Sequence, residues 1–495
     1  MTDRARLAKN TSYLTIAYII QKVITLLYSI LITRAYLPAG QGMYATSLAV
    51  TALFAVFIDL GFASIVTRET ARNPEKASLF LSQALLFRLM MGIGVYAMML
   101  GYTYVVNYPP LLRELVMIAG LATILDMLST SCWGTFRGLH ILKYESISVV
   151  IVTAIMAGIG SAAALTHAPL QILVGSILLS SIFNITYSLI MLARRAGVKI
   201  TWRLDWKVFK FLAVLSIPFA VAAVFSRVYT NLDTLLLERL LGARGAEFAG
   251  LYSTPNKIIL ALEFIPAALS AAIYPAMSSY FVTARDQVGA LYARATHYLL
   301  LMVFPASIGL FILADKLIPQ LYGTPYLPSI LPLQILTIAL FAAFLMFPQG
   351  SLLAATNRQK QNSVILGCGM LINAVGNFIL IPRYQAIGAA IASAATYSFI
   401  FIVSLIYTYH DWKAHTKFLI MTFFRIGAAA LGMGFGVWAL KEYLPVAILI
   451  PAAAILYAGL LFTFKGIAID DIGRIVGIIT KKEQKSEEVA PIESV

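Results

Sequence analysis

Apolar runs long enough to cross a bilayer recur from one end of this chain to the other. A hydrocarbon core takes about 20 helical residues per crossing. Backbone groups inside it must be satisfied within the protein, which leaves helices or closed barrels. Strand-like alternation is absent, so a barrel is set aside. The runs predict about fourteen transmembrane helices, at residues 11–33, 42–66, 80–105, 114–136, 145–165, 169–193, 209–236, 248–277, 294–314, 328–355, 362–381, 386–409, 417–439 and 444–464. The expected class is an all-α polytopic membrane protein. Composition agrees: 60% of residues are hydrophobic and 12% charged, against about 25% charged in soluble domains.

The chain carries 37 Lys and Arg against 22 Asp and Glu. An excess of this sign suits nucleic acid, but it also suits basic cytoplasmic loops. With the N-terminus inside, 25 basic residues fall in inner loops and tails, 7 outside, and 5 within spans: Lys22, Arg88, Arg227, Lys257 and Arg425. That asymmetry favours loops that set topology, with no nucleic-acid partner. The expected location is the cell (plasma) membrane, with both termini cytoplasmic. The start, MTDRARLAKN, is basic, and the run behind it is too long for a signal peptide, so it reads as an uncleaved first helix. Cys132 and Cys368 both fall in spans, which speaks against a disulfide framework. Residues 196–208 set Trp202 and Trp206 among cations, a pattern suited to the headgroup level. No loop has room for a soluble catalytic domain. Residues 481–495 are polar and read as a disordered cytoplasmic tail.

An internal repeat organises the spans. Thr135-Phe136-Arg137-Gly138 closes span four, and Ala355-Thr356-Asn357-Arg358 closes span ten. Tyr187-Ser188-Leu189-Ile190 recurs as Val403-Ser404-Leu405-Ile406, and Tyr44-Ala45-Thr46 as Tyr252-Ser253-Thr254. Six spans per copy is an even number, so the copies are parallel, a transporter architecture with its substrate site between the halves. The expected organisation is an N-terminal six-helix bundle (1–195), a cytoplasmic interfacial linker (196–208), a C-terminal six-helix bundle (209–410), two extra helices with an interfacial segment (411–480) and the tail.

A charge deep in a span is costly and normally faces protein or a wet cavity. Lys22 lies mid-way along span one. Thr15, Tyr18, Lys22, Thr25 and Ser29 follow at steps of three or four, so one helix face is polar. Span seven carries Arg227, Thr230, Asn231 and Thr234, and span eight carries Ser253, Asn256 and Lys257. Spans one, seven and eight are therefore expected to line a shared wet cavity that handles something anionic. For the Ser and Thr residues, interhelical hydrogen bonding is the competing reading. Arg88 either joins the cavity or snorkels to the interface. Arg425 reads as an anchor.

The intramembrane acids Asp59, Asp126, Asp233 and Glu263 have two readings. They pair with these cations, or they bind H⁺ or Na⁺ for coupling; Asp59, Asp126 and Glu263 are the coupling candidates. Asn373 and Asn377, one turn apart, read as an interhelical contact. Pro218, Pro255, Pro266, Pro275, Pro305 and Pro348 kink their spans, for movement or for packing. No metal-ligand spacing and no phosphate-binding P-loop occurs, so neither metal nor other cofactor is expected. The chain is not expected to be an enzyme.

Asp59-Leu60-Gly61 followed by Thr67-Arg68-Glu69, Asn231-Leu232-Asp233-Thr234-Leu235-Leu236-Leu237, Gly250-Leu251-Tyr252 and Gly388-Ala389-Ala390-Ile391-Ala392 resemble the polysaccharide transporter family. The resemblance covers nearly the whole chain. That family stands beside the multidrug and toxin extrusion proteins and the lipid II flippases. What it implies is flipping of a polyprenyl-diphosphate-linked oligosaccharide from the cytoplasmic to the outer leaflet, for surface polysaccharide assembly. Lys22, Arg227 and Lys257 would then meet the diphosphate. Arg88, Asn231, Thr25, Tyr18 and Asn256 complete the candidate substrate-binding set. Membrane lipids and envelope polysaccharide assembly proteins are the implied partners. The alternatives are a cation-coupled multidrug or organic-cation antiporter of the same fold, an intramembrane glycan-transferring enzyme, and a scaffold in an envelope assembly complex.

Overall fold

The computed structural model describes residues 3–59, 61–201 and 205–466. Trp202 to Leu204 of the expected linker and the tail at 481–495 lie outside the described residues, as do the side chains of residues 1–12 and of Pro218. Among the described residues there are helices and no strands. In order they are α1 (Asp3–Asp59), α2 (Phe62–Arg72), α3 (Ala77–Val105), α4 (Pro110–Gly138), α5 (Leu142–Leu165), α6 (Leu170–Ala196), α7 (Trp206–Leu240), α8 (Gly245–Leu262), α9 (Phe264–Thr283), α10 (Arg285–Tyr322), α11 (Ile330–Ala355), α12 (Gln359–Trp412), α13 (Thr416–Leu440) and α14 (Val446–Thr463). Ten stretches of these helices are long and apolar enough to cross a membrane. The chain is a multi-pass membrane protein.

Two of the helices are hairpins. α1 breaks at Leu37, where φ is 56° and ψ 174°. Pro38 follows; it has no N–H for the carbonyl four residues back and restricts the residue before it. Tyr28 and Tyr44 share one packed cluster across this break. Sixteen helical residues would hold them about 24 Å apart, so the two arms fold back on each other. α12 breaks at Gln385, three residues after Pro382. Its arms then touch: a Cβ on Gly376 would lie 3.2 Å from that of Ala392. The sequence expectation of separate loops at these points is replaced by reversals of a single residue.

Two other boundaries shift. Span two ends at Asp59, and Gly61, at φ 79°, starts the short helix α2. Span eight divides at Glu263 into α8 and α9. Pro266 cannot donate to the Leu262 carbonyl, which loosens the ladder at that point.

The first six helices pack mainly on one another, as do α7 to α12, and α13 and α14 lie against α10 and each other. In a bilayer, lipid is as apolar as leucine, so packing and polar contacts hold helices together. The largest core joins α7, α8, α10, α11, α12, α13 and α14 through residues such as Tyr252, Leu340 and Ala430. The halves meet where α1 packs on α7 and α8, and where α2 and α3 touch α7.

Candidate functional site

The helices that carry Lys22, Arg227 and Lys257 are the helices that join the halves. Lys22 is exposed on the first arm of α1, and its Nζ lies 5.9 Å from the ring centre of Phe264 on α9. Thr25, one turn further, is exposed on the same arm. Lys257 on α8 has a buried Nζ with no hydrogen-bond partner among the described residues, 5.7 Å from the ring centre of Tyr44 on the second arm of α1. Both contacts have cation–π geometry and both cross between the halves. Arg227 is exposed on α7. The ion pairs among the described residues leave all three cations out. Asn256 is half-buried beside Lys257. Asn231 turns its amide onto its own helix, donating to the Arg227 carbonyl at 2.8 Å and to Thr230 at 3.1 Å.

Tyr18 is tied into the N-terminal half. Its hydroxyl donates to Glu145 Oε1 at 3.2 Å and accepts from Arg137 Nη2 at 3.2 Å. Arg137 and the fully buried Glu145 form a forked ion pair, with contacts at 2.5 and 2.9 Å. By sequence, Arg137 counts among the 25 basic residues of inner loops and tails. The structure folds it back onto Glu145 across the α4–α5 turn, where it fixes the face of α1 that also carries Lys22.

Arg88 lies apart from the other cations. It is fully buried inside the N-terminal half, pairs with Asp59, and donates to the Met127 carbonyl and Thr130. That pair occupies the first of the three coupling candidates. Asp126 is half-buried on α4 and faces Ser181 and Asn184 of α6. Glu263 sits at the α8–α9 break opposite Tyr397, with Oε1 buried and unpartnered among the described residues.

Asp233 forms a cluster that sequence reasoning saw only in pieces. Its Oδ1 accepts from Asn373 at 2.9 Å and Asn377 at 2.5 Å. Its Oδ2 accepts from Tyr252 and Ser393, both at 2.5 Å. Asp233 and all four donors are buried. Neutral donors, not a cation, satisfy this carboxylate. The i,i+4 asparagines were legible as a contact, but their target on α7, 140 residues away, was not.

On the side of the molecule where α5 begins, a groove of about 340 Å³ runs between α1 and α5. Ile16, Ile20, Ile147 and Val150 line it, with Lys143 at its edge.

Residues 7–281 match the Polysaccharide biosynthesis protein family. This chain belongs to that family. Curated relatives include the capsular polysaccharide biosynthesis protein CapF of Staphylococcus aureus, 22% identical over 81% of this chain and 99% of that protein. A putative O-antigen transporter of Shigella flexneri is 22% identical over 78% of this chain and 93% of its own. Among solved structures, the fold of this family member resembles the lipid II flippase MurJ in an inward closed conformation. The TM-score is 0.73 at 14% identity, covering 93% and 99% of the two chains. A multidrug resistance MATE transporter in an inward-facing conformation follows at TM-score 0.64 and 13% identity, covering 80% and 96%.

Proposed function

We propose that this protein is an alternating-access flippase that carries a polyprenyl-diphosphate-linked oligosaccharide from the cytoplasmic to the outer leaflet for surface polysaccharide assembly. The observation that carries the reading is the set of three cations, Lys22, Arg227 and Lys257, on the helices that join the halves, each without an ion-pair partner among the described residues. Charge-assisted hydrogen bonds to phosphate oxygens give such cations a partner only when substrate is present. Family membership and the names of the relatives support the glycan.

In this mechanism the diphosphate enters from the cytoplasmic leaflet of the plasma membrane, where both termini lie. It meets Lys22, Arg227 and Lys257. Thr25 and Asn256 offer hydrogen bonds to the sugars, with the Asn231 side-chain carbonyl oxygen, and Tyr18 holds this face of α1 in place through Glu145 and Arg137. The polyprenyl tail remains in lipid along the α1–α5 groove, and Lys143 faces the headgroup level. The halves, residues 1–195 and 209–410, then rock about the seam. Arg88 and Asp59 hold the N-terminal half together instead of touching substrate. Coupling to H⁺, Na⁺ or the membrane potential falls to Asp126 or Glu263, which stand outside the ion pairs of the described residues. A charge crossing the field gains roughly 2.3 kcal/mol per 100 mV. Glycan-assembly proteins of the envelope are the expected partners.

The test is a flipping assay in proteoliposomes with a labelled polyprenyl-diphosphate glycan. Each lost phosphate contact is worth roughly 1.5–3 kcal/mol, so Lys22→Ala and Arg227→Ala should each slow flipping at least about tenfold, at 1.4 kcal/mol per decade. Wild-type rates in both folded variants would refute the reading. The antiporter alternative shares the fold but needs an unpaired carboxylate and few cations at the seam, and it predicts drug efflux that these substitutions leave intact.

A further inference from the structure

The three cations say where substrate binds but not which side of the protein is shut. Contacts at the other end of the seam answer that. Arg34, in the last turn before the α1 break, reaches across to the far half. Its guanidinium donates to the carbonyl of Leu321 at 2.6 Å and to that of Gln320. These carbonyls belong to the last turn of α10, where the helix has no N–H left to offer. The partial negative charge of a helix C-terminus favours a cation there. Beside it, the buried Tyr326 hydroxyl donates to the Thr33 carbonyl at 2.9 Å, again between halves.

Immediately beyond the break, the two halves touch backbone to backbone. A Cβ on Gly42 would overlap the Ala246 carbonyl and lie 2.8 Å from the Gly250 nitrogen. A Cβ on Gly250 would overlap the Pro38 carbonyl and lie 3.0 Å from the Gly42 nitrogen. The contact is reciprocal. Gly42 and Gly250 are 208 residues apart, and so are Pro38 and Ala246. This is the offset that relates Tyr44 to Tyr252 in the internal repeat. The two copies of one repeat position therefore meet each other on the axis between the halves. Only glycine at both positions lets the helices approach this closely.

We propose that Arg34, capping α10, and the Gly42–Gly250 crossing together form the outer gate of the protein, closed in this structure, and that every transport cycle breaks and remakes both. The proposal rests on the alternating-access reading. It adds which contacts hold the outer side shut. Arg34 is the releasable part: its bonds are polar and lie at the water-facing end of the seam. The glycine crossing is the fitted part, because it tolerates no added atom while closed. Opening costs the Arg34 contacts and separates α1 from α8, the helices that carry Lys22 and Lys257.

The test measures the gap directly and needs no substrate, so it can fail independently of the flippase reading. Spin labels at Val105→Cys and Leu327→Cys, both exposed at this end of opposite halves, report the distance by electron–electron resonance in a Cys368→Ser background. In otherwise unmodified protein, one short population is expected. Arg34→Gln should move population to a longer distance, Arg34→Lys should retain most of the short one, and Gly42→Ala should all but abolish it. In the flipping assay, Arg34→Gln should slow the return to the closed state. If Gly42→Ala does not insert in the membrane, Arg34→Gln decides alone, since it alters only a side chain at the edge. An unchanged short population in folded Arg34→Gln protein would overturn the proposal.

Discussion

At the scale of single residues, what matters is whether a buried charge has a partner. Lys257 holds its amine buried, with no hydrogen-bond partner among the described residues and the face of Tyr44 at 5.7 Å. An unpaired buried charge is expensive, and under the proposed function a substrate phosphate would offset that cost. Lys257→Met should raise the unfolding free energy in detergent by roughly 1–3 kcal/mol while slowing flipping; thermal unfolding and the vesicle assay would read the two effects separately. Arg88 and Asp59 behave in the opposite sense. Arg88 is fully buried, whereas the Asp59 side chain is 43% exposed. Asp59→Ala strands a buried guanidinium, at a cost of about 3–5 kcal/mol. Arg88→Met leaves a carboxylate at the molecular surface instead of a stranded buried charge, and should cost visibly less. Equal melting temperatures for the two variants would contradict this account.

At the scale of elements, Asp233 is the joint of the C-terminal half. Its four hydrogen bonds tie α7 to α8 and to both arms of the α12 hairpin. Asp233→Ala removes the shared acceptor of four buried donors; the Tyr252 and Ser393 hydroxyls keep each other at 2.8 Å and Asn377 keeps Asn373 at 3.1 Å, and each donor left unsatisfied costs about 1–3 kcal/mol. The loss should be on the order of 3 kcal/mol or more. Asp233→Asn keeps an acceptor oxygen and should lose less. Size-exclusion profiles and melting of the purified variants would rank them. The hairpins themselves show how far local sequence reaches. Pro38 and Pro382 fall in the gaps between expected spans. That one residue, Leu37 or Gln385, could reverse the chain was not legible, because a reversal depends on what the second arm packs against.

At the scale of the whole molecule, the seam and the groove have to cooperate. The α1–α5 groove is apolar and opens beside the arm that carries Tyr18 and Lys22. If the polyprenyl tail lies there, Ile147→Trp should fill it and slow flipping several-fold, yet leave binding of a water-soluble diphosphate-sugar unchanged. Competition binding beside the vesicle assay distinguishes the two; equal loss of both would mean that the groove merely supports α1.

Much of this was legible in the chain alone, and the reason is the solvent. A bilayer forces every crossing to be a helix of about twenty apolar residues, so the fold class could be read by eye. The same cost of burying charge made Lys22, Arg227 and Lys257 stand out one at a time. Partnership is another matter. Nothing near Arg88 in sequence names Asp59 over the cavity, and nothing near Asp233 names asparagines 140 residues away. The 208-residue offset was readable, but that Gly42 and Gly250 meet on the axis it defines was not. Pairing energies depend on distance and burial across the fold. Only the packed helices decide which charges are neutralised, which are left open to substrate, and which end of the seam is closed.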